Sequence, residues 1–317
     1  MTGAVRQLPV ITVVGESLVD VVRRPGDQVS VHPGGSPANV AVGLARLGGS
    51  VSFVTQYGDD EHGRLIRRHL DENGVVVFRG GIDGCVTSVA EASVDDGVAR
   101  YSFAIRWALG PRPPRPAADS VCLHTGSIAA VLEPGASAVR AMIRQARKHM
   151  TISYDPNCRP ALMGSPDEAR RQIEALVAAS DVVKVSDEDL TWLYPGRPYD
   201  DLARSWLATG PALVVVTRGA EGSYAVTATA EVVQPPYQVP VLDTIGAGDA
   251  FMAGLLDALR RRGLLGSAAA EQLRAIPPTT VGQLLDEAGL VAAITVSRPA
   301  ADPPTAADVA AYRHTLR

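Results

Sequence analysis

The chain has 317 residues, 46% hydrophobic and 20% charged, the composition of a globular protein rather than a disordered or fibrous one. Its formal net charge of −4 excludes the basic field of a nucleic-acid or membrane-surface binder. Three dispersed cysteines, Cys85, Cys122 and Cys158, lack C-x-x-C spacing and argue against a disulfide framework or a zinc site. The apolar run in MTGAVRQLPVITVVGES is strand-length, too short for a signal peptide. No apolar stretch reaches the roughly 18 residues that cross a bilayer, so a reducing cytoplasm is the expected location.

Residues 10–14 (VITVV) are a β-branched run ending in Gly15, the pattern of a strand buried on both faces. Residues 18–32 alternate apolar and polar around Pro25-Gly26-Asp27, which predicts a hairpin. Gly34 and Gly35 precede a helical pattern over 38–47, with Ser36 expected as its cap and Pro37 at its first position. A strand over 51–55 and a helix over 61–73 follow. Residues 85–105 predict a second hairpin, turning at Asp95-Asp96-Gly97. The two hairpins read as one small antiparallel sheet projecting from the main body; the competing reading sets them at the edge of the central sheet. The sequence GPRPPRPA at 110–117 cannot be helix or central strand. It reads as a return link from the small sheet, with a motif for a proline-binding partner as the alternative.

Strand-like runs at 120–124, 151–154, 182–185 and 213–217 then alternate with helical patterns at 135–149, 166–179 and 199–208. Such alternation predicts right-handed crossovers and a doubly wound α/β fold, a mostly parallel sheet flanked by helices. Residues 237–242 look strand-like, and a helical pattern starts near Ala247. Residues 263–278, alanine-rich before Pro277-Pro278, read as a surface excursion between two late helices. His32, His62, His69, His124, His149 and His314 show no metal spacing and read as structural or surface residues. Arg260, Arg261 and Arg262 end a helix and most simply complement its dipole.

Two strings carry the chemistry. In DTIGAGDAFMAG (243–254), Gly246 and Gly248 allow a tight turn into a helix whose first N–H groups have no intrahelical partner. Those donors and the helix dipole make a site for an oxyanion such as a transferring phosphoryl group. Asp249, in the first turn, can accept a proton from an attacking alcohol beside that site. The bland alternative is a packing turn with Asp249 as a cap; the length of the string counts against it. In HPGGSPANVAVGLARLG (32–48), Asn39 falls in the first turn of its helix, where its amide can point toward a ligand.

These strings resemble the two signature motifs of the PfkB, or ribokinase-like, carbohydrate kinases, most closely those of the bacterial fructokinases. Further landmarks fit in order: GESLVD (15–20), DPNCR (155–159), KVSDEDL (184–190), VTRGAEG (216–222) and AAITVSRP (292–299). The resemblance implies one ribokinase-like domain over 1–317, with a β-sheet lid from segments near 17–33 and 84–115. It implies ATP-dependent transfer to a primary alcohol, best fitted by D-fructose, with 2-keto-3-deoxygluconate, ribose, a nucleoside or a sugar phosphate as rival acceptors. A non-catalytic sugar or nucleotide sensor is the remote alternative. Asp249 matches the base, and Gly246, Ala247 and Gly248 the anion hole. Asp20, Gly34, Gly35 and Asn39 match sugar-binding positions, and Arg106 and Arg159 match arginines that approach the substrate; a surface role is the alternative for both. Trp107, next to Arg106, could stack on a sugar or pack the lid. Lys184, Ser186 and Asp189 match a segment that organises Mg²⁺ through water, with Ser and Asp replacing the usual Asn and Glu, so direct contact with the metal is in doubt. Thr217, Gly219 and Gly222 match the strand end and turn under ATP. Asp243 and Ile245, with Ser297, match a monovalent-cation loop that many relatives fill with K⁺. Small-molecule sugar and ATP are the expected partners, with no nucleic acid or membrane, and relatives often dimerise through the lid.

Overall fold

The computed structural model describes residues 9–24, 28–81, 84–95 and 98–315. In chain order the strands are β1 (Val10–Val14), β2 (Leu18–Arg24), β3 (Gln28–Gly34), β4 (Ser50–Thr55), β5 (Val76–Arg79), β6 (Ser88–Asp95), β7 (Val98–Ala104), β8 (Ser120–Gly126), β9 (Thr151–Asp155), β10 (Val182–Ser186), β11 (Leu213–Thr217), β12 (Ser223–Val226) and β13 (Glu231–Gln234). The helices are α1 (Ser36–Arg46), α2 (Glu61–Glu72), α3 (Gly135–Ala146), α4 (Pro160–Met163), α5 (Pro166–Ala178), α6 (Asp187–Leu193), α7 (Tyr199–Leu207), α8 (Ala247–Arg261), α9 (Ala270–Arg274), α10 (Pro278–Val296) and α11 (Ala306–Thr315).

The β-branched runs pair into one nine-stranded sheet, ordered β13-β12-β11-β10-β9-β8-β1-β4-β5. From β11 to β5 every pairing is parallel; β12 and β13 are antiparallel. Parallel strands need helical crossovers, and helices cover both faces. On one face Ile11 and Val13 pack with Leu44 of α1, Phe251 and Leu255 of α8 and Leu284 of α10. On the other, Val14 packs with Ile143 of α3, Ile173 of α5 and Trp206 of α7. The chain runs from β1 outward through β4 and β5, then returns to the other side of β1 at β8. The reversal between β1 and β8 is a topological switch point, and crevices for ligands form there at the carboxyl ends of the strands.

The hairpins form a separate four-stranded sheet, ordered β3-β2-β6-β7. This is the projecting arrangement, not the edge of the central sheet, but the sheet is mixed rather than antiparallel: each hairpin is antiparallel, while β2 and β6, which join the two, pair parallel. Turn residues Pro25, Gly26, Asp27, Asp96 and Gly97 lie outside the described residues. Register puts His32, Asp20, Ala90 and Phe103 in one row across the sheet, on one face. Val19 and Val21, on the other face, are buried, and α2 packs against β2 and β3.

Three local readings are corrected and one left open is decided. Gly35, with φ 103°, caps α1, so Ser36 is already helical and its hydroxyl is free to turn toward another element. Residues 237–242 form no strand: Pro240 supplies no N–H, and the Leu242 N–H donates instead to Val296 O at 2.8 Å. Residues 263–278 are not a mere surface excursion, because Leu265, Ala269, Leu273 and Ile276 are buried. Trp107 packs rather than stacks on a ligand: it is buried, and its indole N–H donates to Ala129 O at 2.9 Å.

Candidate active site

α8 starts where the chain turns at Gly246, whose φ of 76° is left-handed. A Cβ there would also lie 2.7 Å from that of Ala301, so only glycine fits. The Ala250 N–H donates back to Gly246 O at 2.8 Å, and the Ala247 N–H to Thr244 O at 3.2 Å. The N–H groups of Gly248 and Asp249 meet no acceptor among the described residues. Two open donors on a positive helix end favour an anion.

Asp249 is buried at 7% exposure, between α8 and the start of α1. Ser36 Oγ donates to its Oδ1 at 2.7 Å, and Asn39 Nδ2 to its Oδ2 at 2.8 Å. The two glycine-rich strings therefore meet on one carboxylate. Each oxygen accepts one bond from these residues and keeps a further lone pair for a hydroxyl proton. Ser36, read in the sequence as a cap, is the contact that reading missed.

Asp20 reaches the same region from β2. A Cβ on Gly34 would lie 2.0 Å from Asp20 Oδ2, so Gly34 is the floor on which that carboxylate rests. Burial pushes the Asp20 carboxyl up, Arg159 and His32 pull it down, and Asp249 raises it. These four groups share one field. Arg159 is exposed, and its guanidinium curls back to Asn157 Oδ1 at 2.7 Å and Cys158 O at 2.9 Å. Arg106 is exposed at the end of the small sheet, its N–H donating to Ser88 Oγ at 3.0 Å.

Behind the turn, Lys184 donates to Asp155 Oδ2 at 2.8 Å, with both side chains buried. Burial raises the Asp155 carboxyl to about 6 against the pull of Lys184. Burial and then the Lys184 charge lower buried His124 to about 3, so it is neutral and structural. Ser186 and Asp189 form a capping box at the start of α6. Asp189 Oδ1 also accepts from Cys158 N at 2.8 Å, so both carboxylate oxygens already serve the backbone. Burial, then Asp189, raise the Cys158 thiol well above its usual range, which leaves it inert. Thr217 ends β11, and its hydroxyl donates to Val185 O at 3.4 Å; Gly219 and Gly222 shape the turn into β12. Asp243 Oδ1 accepts from Ile245 N at 2.9 Å and its Oδ2 from Ala300 N at 3.0 Å, while Ser297 Oγ donates to Ile294 O at 2.7 Å. Segments 242–246 and 296–301 thus lie side by side. Among the described residues no cluster of three His, Cys, Asp or Glu could hold a metal ion.

Sequence reading also passed over Glu16. It is fully buried at the root of the small sheet, and its Oε2 accepts from Ala129 N at 3.1 Å. The signal was its place between a buried strand and a hairpin, in GESLVD. Elsewhere, a surface hollow of about 670 Å³ lies beside Arg170, Tyr194 and Arg197. Arg170 already donates to Leu193 O at 2.6 Å and covers the Tyr194 ring, so it offers little to a ligand.

Residues 9–305 match the pfkB family of carbohydrate kinases. A fructokinase of Rhizobium leguminosarum bv. trifolii is 34% identical over 260 residues, 79% of this chain and 80% of that one. The crystal structure of a fructokinase with bound ATP from Xylella fastidiosa superposes with a TM-score of 0.84 at 27% identity, covering 98% of this chain and 99% of the other. A double mutant of the fructokinase from Vibrio cholerae O395, bound to fructose, ADP and potassium ion, gives 0.77 at 26% identity over 96% and 98%. With a doubly wound core, a separate small sheet and a carboxylate at an open helix start, this chain belongs to the pfkB family of carbohydrate kinases and is fructokinase-like.

Proposed function

We propose that the chain transfers the γ-phosphoryl group of ATP to the primary hydroxyl of D-fructose, giving fructose 6-phosphate and ADP. The observation that carries this reading is the Asp249 carboxylate, held by Ser36 and Asn39 beside the unpaired Gly248 and Asp249 N–H groups. The sugar lies between that carboxylate and the Asp20 face of the small sheet, which serves as a lid. Asp20, Asn39 and the backbone at Gly34 and Gly35 orient its hydroxyls, and Arg106 and Arg159 close the far side. Asp249 takes the proton of the attacking hydroxyl. The freed oxygen forms the new bond to phosphorus, the bond to the β-phosphate oxygen breaks, and ADP leaves. The open amides of Gly248 and Asp249, at the turn made by Gly246 and Ala247, hold the phosphoryl oxygens as charge shifts.

ATP follows the carboxyl ends of β10 and β11, past Lys184, Ser186, Asp189, Thr217, Gly219 and Gly222. Mg²⁺ would neutralise the phosphate oxygens. Because Asp189 is occupied by backbone, the donor set suits a metal carried by phosphates and its own waters rather than by a protein cage. A monovalent cation such as K⁺ would lie between the Asp243–Ile245 loop and the Ser297 segment, held by backbone carbonyls.

A coupled ADP-release assay over fructose, 2-keto-3-deoxygluconate, ribose and a nucleoside tests the acceptor. Fructose should give the highest kcat/KM; release with another sugar only would reassign the substrate, and none with any would favour a sensor. Asp249→Asn should lower kcat by roughly 10²–10⁴-fold with ATP affinity little changed. Turnover near that of the wild type would remove Asp249 from the mechanism.

A further inference from the structure

Lys184 donates one bond, to Asp155, and its side chain is 4% exposed. An ammonium carries three N–H donors, so two remain without an acceptor among the described residues. Asp155 is incomplete as well, since its Oδ1 is buried without a partner. Buried polar groups are nearly always satisfied, and a pair left open on both sides is a pair that awaits something. The Lys184 Nζ atom also explains Gly248. Gly248 does not have a left-handed φ, so its backbone does not require glycine. A Cβ there would meet one atom within 4 Å, Lys184 Nζ at 3.1 Å. The missing side chain is thus the opening through which the ammonium reaches the start of α8. Asp155, Asp189 and Asp249 all favour the charged form of Lys184, and its proton is held more firmly than usual in spite of burial.

We propose that Lys184, braced by Asp155, presents its ammonium through the gap at Gly248 to the phosphoryl group being transferred. This rests on the kinase reading and adds a cation to a cradle otherwise made of amides. The ammonium contacts the γ-phosphoryl oxygens, so ATP gains from it more than ADP does. A lysine serving only the fold would support both nucleotides equally.

The test compares wild type, Lys184→Met, the pair Asp155→Asn with Lys184→Met, and Gly248→Ala. Lys184→Met alone strands a buried carboxylate and is apt to unfold; the double variant removes both charges and avoids that. Calorimetry with ADP and a non-hydrolysable ATP analogue is read beside steady-state kinetics and thermal melting. The double variant should melt near wild type and bind ADP within about threefold. Its preference for the ATP analogue should fall at least tenfold, and kcat at least roughly 10²-fold. Gly248→Ala, which keeps both charges but crowds Nζ, should lower kcat with sugar KM unchanged, and it decides the matter if the double variant does not fold. Equal weakening of both nucleotides, or unchanged kcat in either variant, would overturn the assignment. Absence of turnover in the wild type would instead sink the kinase reading beneath it.

Discussion

Burial raises the Glu16 carboxyl from 4.5 to about 7, against the Ser127 hydroxyl, the Ala129 N–H and the charge of Arg159. In the unfolded chain it titrates near 4.5, so between 4.5 and about 7 the folded state binds the extra proton. Stability therefore falls as pH rises through that window and levels off above it, by roughly 3 kcal/mol in all. Glu16→Gln, which can still accept from Ala129, should be more stable than wild type at pH 8 by about 2–3 kcal/mol, with the gap closing by pH 5. Urea titrations at the two pH values measure this, and parallel stability curves would count against it. The same residue shows the limit of single-chain reading. GESLVD was recognisable as a landmark between a buried strand and a hairpin, yet that place alone does not fix how deeply its glutamate is buried. Asp249 was legible because its glycines and helix pattern are contiguous. The Ser36 bond to it joins positions 213 residues apart, and only the fold brings them together.

Helix α8 illustrates the same limit for elements. Three consecutive arginines at its end suggest dipole compensation, but they clamp α8 to itself and to α10. Arg260 donates to Asp257 at 2.7 Å with both groups buried; Arg261 pairs with Asp257 and Glu287, and Arg262 with Glu287 at 2.7 Å. Asp257 sits at the centre, so Asp257→Ala strands the buried Arg260 guanidinium and should cost about 3–5 kcal/mol. Arg261→Ala removes a half-exposed partner and should cost under about 1 kcal/mol. Denaturant midpoints separate the two, and equal losses would contradict the clamp. Long, strongly patterned elements were readable to within a few residues: α2, α3, α5 and α7, and the parallel strands β1, β4, β8, β9, β10 and β11. The strands β5, β12 and β13 were not, being four residues each. Two of them, β5 and β13, lie at the sheet edges, where a strand buries too little to need an apolar run. Residues 237–242 failed the other way: their apolar content suggested a strand, but Val241 and Leu242 are exposed at 61% and 69% and pair with no strand.

At the scale of the molecule, the switch point between β1 and β8 gathers the strand ends, and the small sheet stands over them. That sheet has two edges, β3 and β7. An unpaired edge offers a row of backbone donors and acceptors to another chain unless charge or a bulge protects it. On β3, Val29 and Val31 are exposed at 48% and 37% with no Lys or Arg between them, so this edge carries little protection. Pairing with the same edge of a second copy would cover the flanks of both valines, complete the ladder, and hold the sheet over the proposed sugar site. On that argument the chain should sediment as a dimer at micromolar concentration. Val31→Lys should shift it toward monomer, because each new charge would meet its symmetry mate across a two-fold axis. Val31 shares its face with Val21, opposite the Asp20 row, so a lysine there alters the edge without entering the face that carries Asp20. A wild-type monomer at that concentration, or a Val31→Lys dimer as tight as wild type, would place the association elsewhere or abolish it.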